Sequence, residues 1–303
     1  MLRISQIKQF ERGVILMALS TLSVSIFGFV AQLGMQISSL TVMVFLRFAI
    51  PFVIALPFLH FSKAFKNLRT QTLGMQILRA IFVLVSQYSL FYYLTSASLL
   101  NAMMLWNTTP IFIPLITWVC FGKKSAKSTW LSVILGVIGV ACILKPDQGI
   151  IDTFSLWGLL AGFATAFSQV LFGENRLIER NDVNLFYLFF LTTLMSFFIL
   201  VIFEVFIENE FVEVFSKVFF QGWRPYLLIL ILGVGSIGNQ IVRGIAYGYA
   251  RPASLAPFLY LSVLFSGVLD WVLYGLVPDF LFLLGAILIS LGSVFRVWYA
   301  PKV

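Results

Sequence analysis

The sequence predicts an all-α integral membrane protein whose ten transmembrane helices form an inverted five-plus-five repeat around a central cavity. Three observations lead to this fold class. The chain of 303 residues is 60% hydrophobic and only 11% charged, whereas soluble domains carry about 25% charged residues. Apolar runs of roughly 20 residues, enough to cross a bilayer core, follow one another almost from end to end. Features of the first half also return in the second half, with the loop charges reversed.

The apolar runs can be placed in order along the chain, because turn residues or charges separate them. The linkers between the runs are too short to hold a soluble domain. The predicted spans are 13–34, 40–60, 73–95, 98–121, 129–145, 155–175, 184–206, 225–248, 253–275 and 280–298.

Lysine and arginine predict the orientation of these spans. With the N-terminus in the cytoplasm, 14 of the 20 basic residues fall on cytoplasmic segments, three fall outside and three lie within spans. This positive-inside bias places both termini in the cytoplasm of a multi-pass plasma membrane protein, with a bacterial inner membrane as the expected location. It also accounts for the net charge of +8, so nucleic acid is excluded as a partner. Membrane lipids and a small-molecule substrate are expected as partners, and a homodimer is left open.

Glycines recur at matching positions in the two halves. At an offset of 145 residues, Gly13 falls on Gly158. At an offset of 153 residues, the glycine after span four and a glycine in span five fall on glycines after span nine and in span ten. These pairs are Gly122 with Gly275 and Gly139 with Gly292. Their order along successive spans indicates two related repeats, residues 1–147 and 153–303.

The loop charges indicate that the second repeat is inverted. Five spans is an odd number, so the second repeat enters the membrane from the opposite side, and equivalent loops should reverse their charge. The basic segment 61–71 corresponds to the segment 207–224, which carries Glu208, Glu210 and Glu213. The lysines that follow Gly122 likewise correspond to a segment that ends in Asp279. The charges therefore agree with the repeat that the glycines indicate.

Spans four and nine are interrupted by proline. Span four carries Asn107, Pro110 and Pro114, and span nine carries Pro257. Proline removes a backbone hydrogen bond and kinks a helix. Tolerated kinks without function are common in membrane helices. Because these prolines recur in equivalent spans, a hinge or an exposed carbonyl group is the favoured interpretation.

Helical spacing gathers polar residues into stripes on spans three, six, eight and nine. Unpaired polar groups in hydrocarbon cost several kcal/mol, so the stripes must face one another or water. A shared hydrated cavity is favoured, although the same side chains could simply hold helices together. The candidate substrate-binding residues are Gln76, Arg79, Ser86, Gln87, Tyr93, Asn107, Ser168, Gln169, Ser236, Asn239, Gln240 and Tyr260.

Charged side chains within spans are stronger indications of function than neutral polar ones, because each charge costs at least about 2.5–3.5 kcal/mol at the bilayer centre. Arg79 is interpreted either as a substrate or gate contact or as a side chain that snorkels to the interface, and for Arg243 snorkelling is favoured. Arg47 and Asp270 lie at matching depth and can form an ion pair, structural or gating. Asp270 is also the candidate proton-coupling site. The candidate coupling or gating residues are Arg47, Asp270, Pro110, Pro114 and Pro257.

Several motifs resemble the EamA-like family of the drug/metabolite transporter superfamily, over nearly the whole chain. They include Leu78-Arg79-Ala80, Pro110-x3-Pro114 and, in the second half, Pro252-Ala253-Ser254-x2-Ala256-Pro257. The resemblance implies secondary transport of small organic solutes through a central cavity, from amino acids to nucleotide-like metabolites such as S-adenosylmethionine. Members usually carry Glu just after the aromatic-Gly pair that ends spans four and nine. Lys123 and Leu276 occupy those places here, so neither inherits a role.

The expected function is secondary active transport of small polar metabolites by alternating access. The chain has no Gly-Lys-Ser/Thr loop to cradle phosphates, so exchange or a proton gradient is the expected energy source. The alternatives are a membrane-embedded enzyme and a channel. An enzyme would need convergent catalytic groups, and a single His60 argues against one. A channel would need a charge ring or a carbonyl filter motif, and neither is found. No cofactor or metal site is expected.

Overall fold

A computed structural model describes residues 2–34, 40–61, 68–95, 99–144, 153–203, 223–275 and 279–299, and these ranges are helical without any strand. Several features singled out above fall outside the description, namely Glu208, Glu210, Glu213, the segment 62–67 and the side chain of Asp270. The helices are α1 Leu2–Gly34, α2 Leu40–Phe61, α3 Leu73–Leu94, α4 Leu99–Trp106, α5 Thr109–Phe121, α6 Lys127–Leu144, α7 Ser155–Ile178, α8 Asn181–Phe203, α9 Trp223–Tyr249, α10 Pro252–Leu255, α11 Leu261–Tyr274 and α12 Phe280–Trp298, with a 3-10 turn at Ala256–Tyr260.

Within the described ranges, eight segments are long and apolar enough to cross a membrane, and they coincide with eight of the predicted spans. The other two predicted spans, 13–34 and 225–248, lie on α1 and α9, and the count of ten crossings stays a prediction. The eight segments are Leu40–Pro57, Leu73–Tyr93, Ala102–Phe121, Lys127–Leu144, Ser155–Ile178, Asn181–Phe203, Pro252–Leu269 and Phe280–Trp298.

Spans four and nine, which were singled out for their prolines, are both broken. A turn at Asn107 separates α4 from α5, and Pro110 lies in the first turn of α5, where a proline nitrogen forfeits no intrahelical bond. Pro257 lies in the 3-10 turn between α10 and α11. After these breaks, α5 and α11 end alike, at Gly122 with φ 65° and Gly275 with φ 69°. This left-handed C-terminal geometry suits glycine, which has no Cβ to clash with the following carbonyl.

The helices pair across the two predicted repeats. The main pairs are α1 with α9, α2 with α8, α3 with α7, and α6 with α12. In addition, α5 packs on α7, and α11 packs on α1. The helix α7 is the most buried of these apolar segments, with 61% of the segment buried inside the structure. It therefore provides the central wall against which the polar side chains of neighbouring helices are placed.

The pair α6 and α12 is held together through glycine. A Cβ atom on Gly139 would lie 2.7 Å from the carbonyl oxygen of Gly285, and a Cβ atom on Gly292 would lie 3.0 Å from the carbonyl oxygen of Ser132. The first of these distances is shorter than real Cβ contacts, so a side chain at Gly139 would push the backbones apart. The two helices therefore approach each other at backbone contact distance.

Candidate functional site

One end of the bundle carries a concentration of basic residues, and we call it the basic end. Its members lie at the start of α6 and at the α7–α8 connection, and the start of α3 is joined to that connection by hydrogen bonds. Lys123, after α5, forms an ion pair with Glu174 near the end of α7. A charged side chain this close to a helix end usually reaches water, but the side chain of Glu174 is buried and paired. The basic residues are Lys123, Lys124, Lys127, Arg176 and Arg180.

The carboxylate of Glu179 accepts hydrogen bonds from the residues that precede α3 at the basic end. One carboxylate oxygen accepts hydrogen bonds from the hydroxyl groups of Thr70 and Thr72, at 2.5 and 2.8 Å, and from the backbone N–H groups of Gln71 and Thr72, at 2.7 and 3.0 Å. These N–H groups precede the first turn of α3, where no carbonyl of the same helix is available to them. A carboxylate at a helix N-terminus is also favoured by the helix dipole.

The hydrogen bonds to Glu179 also determine its acidity. Burial on its own would raise the pKa of Glu179, but the bonds from Thr70, Gln71 and Thr72 together hold that pKa below its ordinary value. A carboxyl group with a depressed pKa stabilises the fold at pH values above its unfolded pKa of about 4.3, and this contribution is lost as the pH falls through the folded value. Glu179 therefore contributes to stability at neutral pH and loses that contribution in acid.

We expect Glu179→Gln to lower the thermal unfolding midpoint at pH 7, because a neutral amide accepts weaker hydrogen bonds than a carboxylate. The difference from the wild type should shrink once the pH falls below about 4.3, where the carboxyl group begins to protonate. Thermal unfolding of detergent-purified protein between pH 7 and pH 3 measures both. Glu11→Gln removes an exposed carboxylate on α1 and is the control, with little change expected. A constant difference across this range would contradict the role of the ionised group.

Arg79 is the centre of the buried polar cluster. Its side chain on α3 is 2% exposed. Nη1 donates to the carbonyl oxygen of Asn184 on α8 at 3.4 Å, and Nη2 donates to Oε1 of Gln240 on α9 at 3.3 Å. The guanidinium carbon lies 3.7 Å from the centre of the Phe172 ring on α7, a cation–π contact. Nε has no hydrogen-bond partner. Arg79 is thus inserted between three helices, and sequence reasoning left its role open.

A buried amide pair lies one turn closer to the basic end. Gln76 and Asn184 are both fully buried, and Nε2 of Gln76 donates to Oδ1 of Asn184 at 2.8 Å. Nδ2 of Asn184 in turn donates to the carbonyl oxygen of Arg180 at 3.2 Å. Since Gln76 precedes Arg79 on α3, this pair forms a polar layer between Arg79 and the basic end.

Arg243 lies on α9, and its environment corrects the sequence-based expectation. Its side chain is 8% exposed, and Nε donates to the hydroxyl of Ser20 on α1 at 3.1 Å. The Ser20 hydroxyl donates to Oδ1 of Asn239 at 2.5 Å. The expectation that Arg243 snorkels is therefore wrong. The physical reason is the close packing of α1 along α9, where a Cβ on Gly13 would lie 3.4 Å from Ala250.

A second polar cluster joins α3, α4 and α7. The hydroxyl groups of Ser86 and Thr165 are 2.6 Å apart, and Ser86 also donates to the carbonyl oxygen of Ala161 at 3.0 Å. The indole N–H of Trp106 donates to the Thr165 hydroxyl at 2.9 Å. Because Ser86 lies seven residues beyond Arg79, this cluster is about 10 Å further along α3 from the basic end.

Other predicted site residues lie in different surroundings. Tyr260 is fully buried, with its ring across Gly136 of α6. The Tyr93 hydroxyl lies 3.4 Å from the Ser155 hydroxyl, and Asn107 donates to a carbonyl of its own span at 2.8 Å. Gln87 on α3 is buried, as are Ser168 and Gln169 on α7. Ser236 on α9 is half-buried, and Arg47 on α2 is exposed. Gln169 accepts a bond from the Tyr247 hydroxyl at 2.9 Å.

Sequence reasoning missed several residues that the fold brings into these clusters. Asn184 and Phe172 contact Arg79, and neither belongs to a stripe picked out by helical spacing. Arg296, near the end of the last span, belongs to none of the stripes, yet it is 1% exposed and its guanidinium carbon lies 5.1 Å from the centre of the Phe10 ring. The one available signal for Asn184 was an amide in the first turn of an otherwise apolar span.

Residues 11–145 match the model of the EamA-like transporter family. This match confirms the resemblance, carried by Leu78-Arg79-Ala80 and Pro110-x3-Pro114, to the EamA-like family of the drug/metabolite transporter superfamily.

Relatives of this chain are named as transporters, and the similarity runs over most of each protein. The pseudopaline exporter CntI of Pseudomonas aeruginosa is 22% identical and covers 94% of this chain and 95% of its own length. The S-adenosylmethionine uptake transporter of Rickettsia prowazekii is 23% identical, with coverage of 98% and 96%. The riboflavin transporter of Vibrio cholerae is 24% identical, with coverage of 86% and 84%. The three proteins are named for different substrates.

A solved crystal structure has the same fold as this chain. The two superpose with a TM-score of 0.75, over 95% of this chain and 97% of the other. Their sequence identity is 17%, so the likeness concerns the fold alone.

Proposed function

We propose that this protein is a secondary active transporter of small polar metabolites, such as amino acids or nucleotide-like compounds including S-adenosylmethionine, and that it works by alternating access. The observation that carries the proposal is a set of contacts between the two predicted repeats, at the basic end and just inside it, which we call the seal. Its contacts include Lys123 with Glu174, Thr72 with Glu179 and Arg79 with Gln240. Relatives named as exporters and as uptake transporters support transport as the activity.

The helix pairings support two repeats related by a pseudo-two-fold axis. A two-fold rotation that exchanges spans one to five with spans six to ten would map the pair α3–α7 onto α9–α1, and the pair α5–α7 onto α11–α1. The same rotation would map each of the pairs α2–α8 and α6–α12 onto itself. At an offset of 153 residues, the contact of Gly139 with Gly285 becomes the contact of Gly292 with Ser132. Inverted repeats around a midplane site are a common architecture of secondary transporters.

The seal at the basic end has the strength that an alternating mechanism needs. It consists of hydrogen bonds, each worth about 0.5–1.5 kcal/mol net, and of an ion pair near the surface, worth about 0–1 kcal/mol. Contacts of this size can be exchanged for others when the repeats move. The proposal therefore places a gate at this end, which the lysine distribution assigns to the cytoplasm.

The proposal includes ten membrane crossings with both termini in the cytoplasm, in an inner membrane if the source is bacterial. It assigns substrate contact to the polar residues around Arg79, Gln240 and Ser86, and it keeps Asp270 as the proton-coupling candidate with Arg47 as its partner. Exchange and proton coupling are the two energy sources consistent with the sequence.

Purified protein in liposomes tests the proposal against its alternatives. We expect saturable counterflow, in which unlabelled solute inside the vesicle accelerates entry of the labelled solute. Chemical conversion of the solute would indicate a membrane-embedded enzyme. A current that does not saturate with concentration would indicate a channel.

A further inference from the structure

We infer that the transported solute carries an anionic group, a carboxylate or a phosphate, and that Arg79 binds this group with Arg243 beside it. The inference rests on the proposed function and narrows its substrate class. Its basis is a pair of buried cations, on α3 and α9, whose hydrogen bonds to residues that the structure describes all go to neutral groups.

Acidic partners are absent from this cluster in the part of the chain that the structure describes. The ion pairs found there join Lys123 to Glu174 and Arg180 to Asp182, and neither involves Arg79 or Arg243. Removing the partner of a buried charge strongly destabilises a protein, because the remaining charge is uncompensated. A protein that retains such a charge inside a membrane span generally uses it for function.

The hydrogen bonds of Arg79 are long, and one of its donors is unpaired, so a stronger acceptor could bind to it. Its two hydrogen bonds are 3.3 and 3.4 Å long, beyond the usual range of about 2.7–3.2 Å for an N–H donor. Nε makes none. A carboxylate or phosphate would accept charge-assisted bonds that are shorter and roughly twice as strong as neutral ones. The guanidinium group also presents the planar fork of donors that suits these two anions.

The charges nearby favour an anion over a cation. Gln240, the partner of Arg79, lies three residues before Arg243 on α9, so both guanidinium groups lie along the same face of that helix. Ser236 and Gln240 are half-buried, so this face of α9 is not completely covered by other side chains. A cationic solute would be repelled by two like charges in a medium of low dielectric constant.

A purely structural Arg79 is the competing explanation, and charge selectivity distinguishes the two. Proteoliposomes should be offered a defined mixture of dicarboxylates, nucleoside monophosphates, neutral nucleosides, riboflavin, polyamines, and amino acids each beside its amide. Mass spectrometry of counterflow then measures every compound at once. We expect solutes with a carboxylate or phosphate to enter, an amino acid to be preferred over its amide, and polyamines to be excluded.

Variants then connect this selectivity to Arg79. Arg79→Gln should lower uptake of the anionic solutes about 10- to 100-fold, the loss expected for hydrogen bonds to a charged group, and Arg79→Lys should retain part of it. Arg69→Gln removes an exposed charge at the start of α3 and should change uptake less than about twofold. Gel filtration and thermal unfolding report whether each variant folds.

The possible outcomes separate this inference from the proposed function. If the wild type takes up no compound, both are wrong. If it takes up only neutral or cationic solutes, or if folded Arg79→Gln keeps its anion uptake, the protein remains a transporter and the inference is overturned. Should Arg79→Gln fail to fold, the selectivity of the wild type decides the matter.

Discussion

Joining positions 123 and 174 with a short, reducible thiol cross-linker is expected to stop counterflow almost completely. Lys123 and Glu174 are in direct contact, and they belong to different predicted repeats. A covalent link in place of this ion pair would prevent the basic end from opening, so the protein would stay closed on that side. The paired substitutions Lys123→Cys and Glu174→Cys should be made in a background with Cys120→Ser and Cys142→Ser, because both native thiols are free. Counterflow measured before cross-linking, after it and after reduction should fall and then recover.

A second cysteine pair serves as the matched control. Arg180 and Asp182 also form an ion pair at the basic end, but both lie within the second repeat, at the start of α8. Arg180→Cys with Asp182→Cys, cross-linked by the same reagent, should transport as well as the reduced protein. Full counterflow through the cross-linked 123–174 protein would show that this end does not open, and alternating access would then be wrong.

Asn184→Leu is expected to be the most destabilising single substitution in the polar cluster. The fully buried Asn184 side chain accepts the Gln76 amide and donates to the Arg180 carbonyl. Leucine would leave Gln76 buried with neither amide atom paired, since its Oε1 already has no partner. An orphaned buried polar group costs about 1–3 kcal/mol, so we expect a loss of that size in the free energy of unfolding, together with slower counterflow.

The double variant tests whether this loss comes from the amide pair. If Gln76→Leu accompanies Asn184→Leu, no unpaired Gln76 amide remains, and two apolar side chains of similar size can be nearly neutral together. The double variant should therefore be more stable than the sum of the single effects, measured by denaturant unfolding in mild detergent. Strict additivity would mean that the amide contact contributes nothing of its own.

Local sequence features predict the helices but not their partners. The runs that give the apolar segments are each about 20 residues long, and the breaks near Pro110 and Pro257 fall where proline favours the end of a helix, although α2 continues through Pro51 and Pro57. The stripe on α9 correctly marks Asn239 and Gln240 as residues that face other helices. What they face depends on packing: Asn184 lies 105 residues from Arg79 in the chain, and no periodicity connects the two.

Burial was the other quantity that local reasoning could not supply. Arg243 and Glu174 both lie near the ends of their helices, where a charged side chain usually reaches water. In the fold, α1 covers Arg243 and the segment after α5 reaches Glu174. The burial of Tyr260 is likewise a result of packing, because its ring lies against Gly136 of a neighbouring helix. Each case depends on which helix comes to lie alongside, and the pairing of helices is a property of the whole chain.

The glycine contact between α6 and α12 has a mechanical consequence. With backbone pressed on backbone at Gly139 and Gly285, no intervening side chain can change rotamer to absorb sliding at that point. We therefore expect α6 and α12 to pivot at this contact rather than slide past each other, so that any relative movement of the two helices would grow with distance from it.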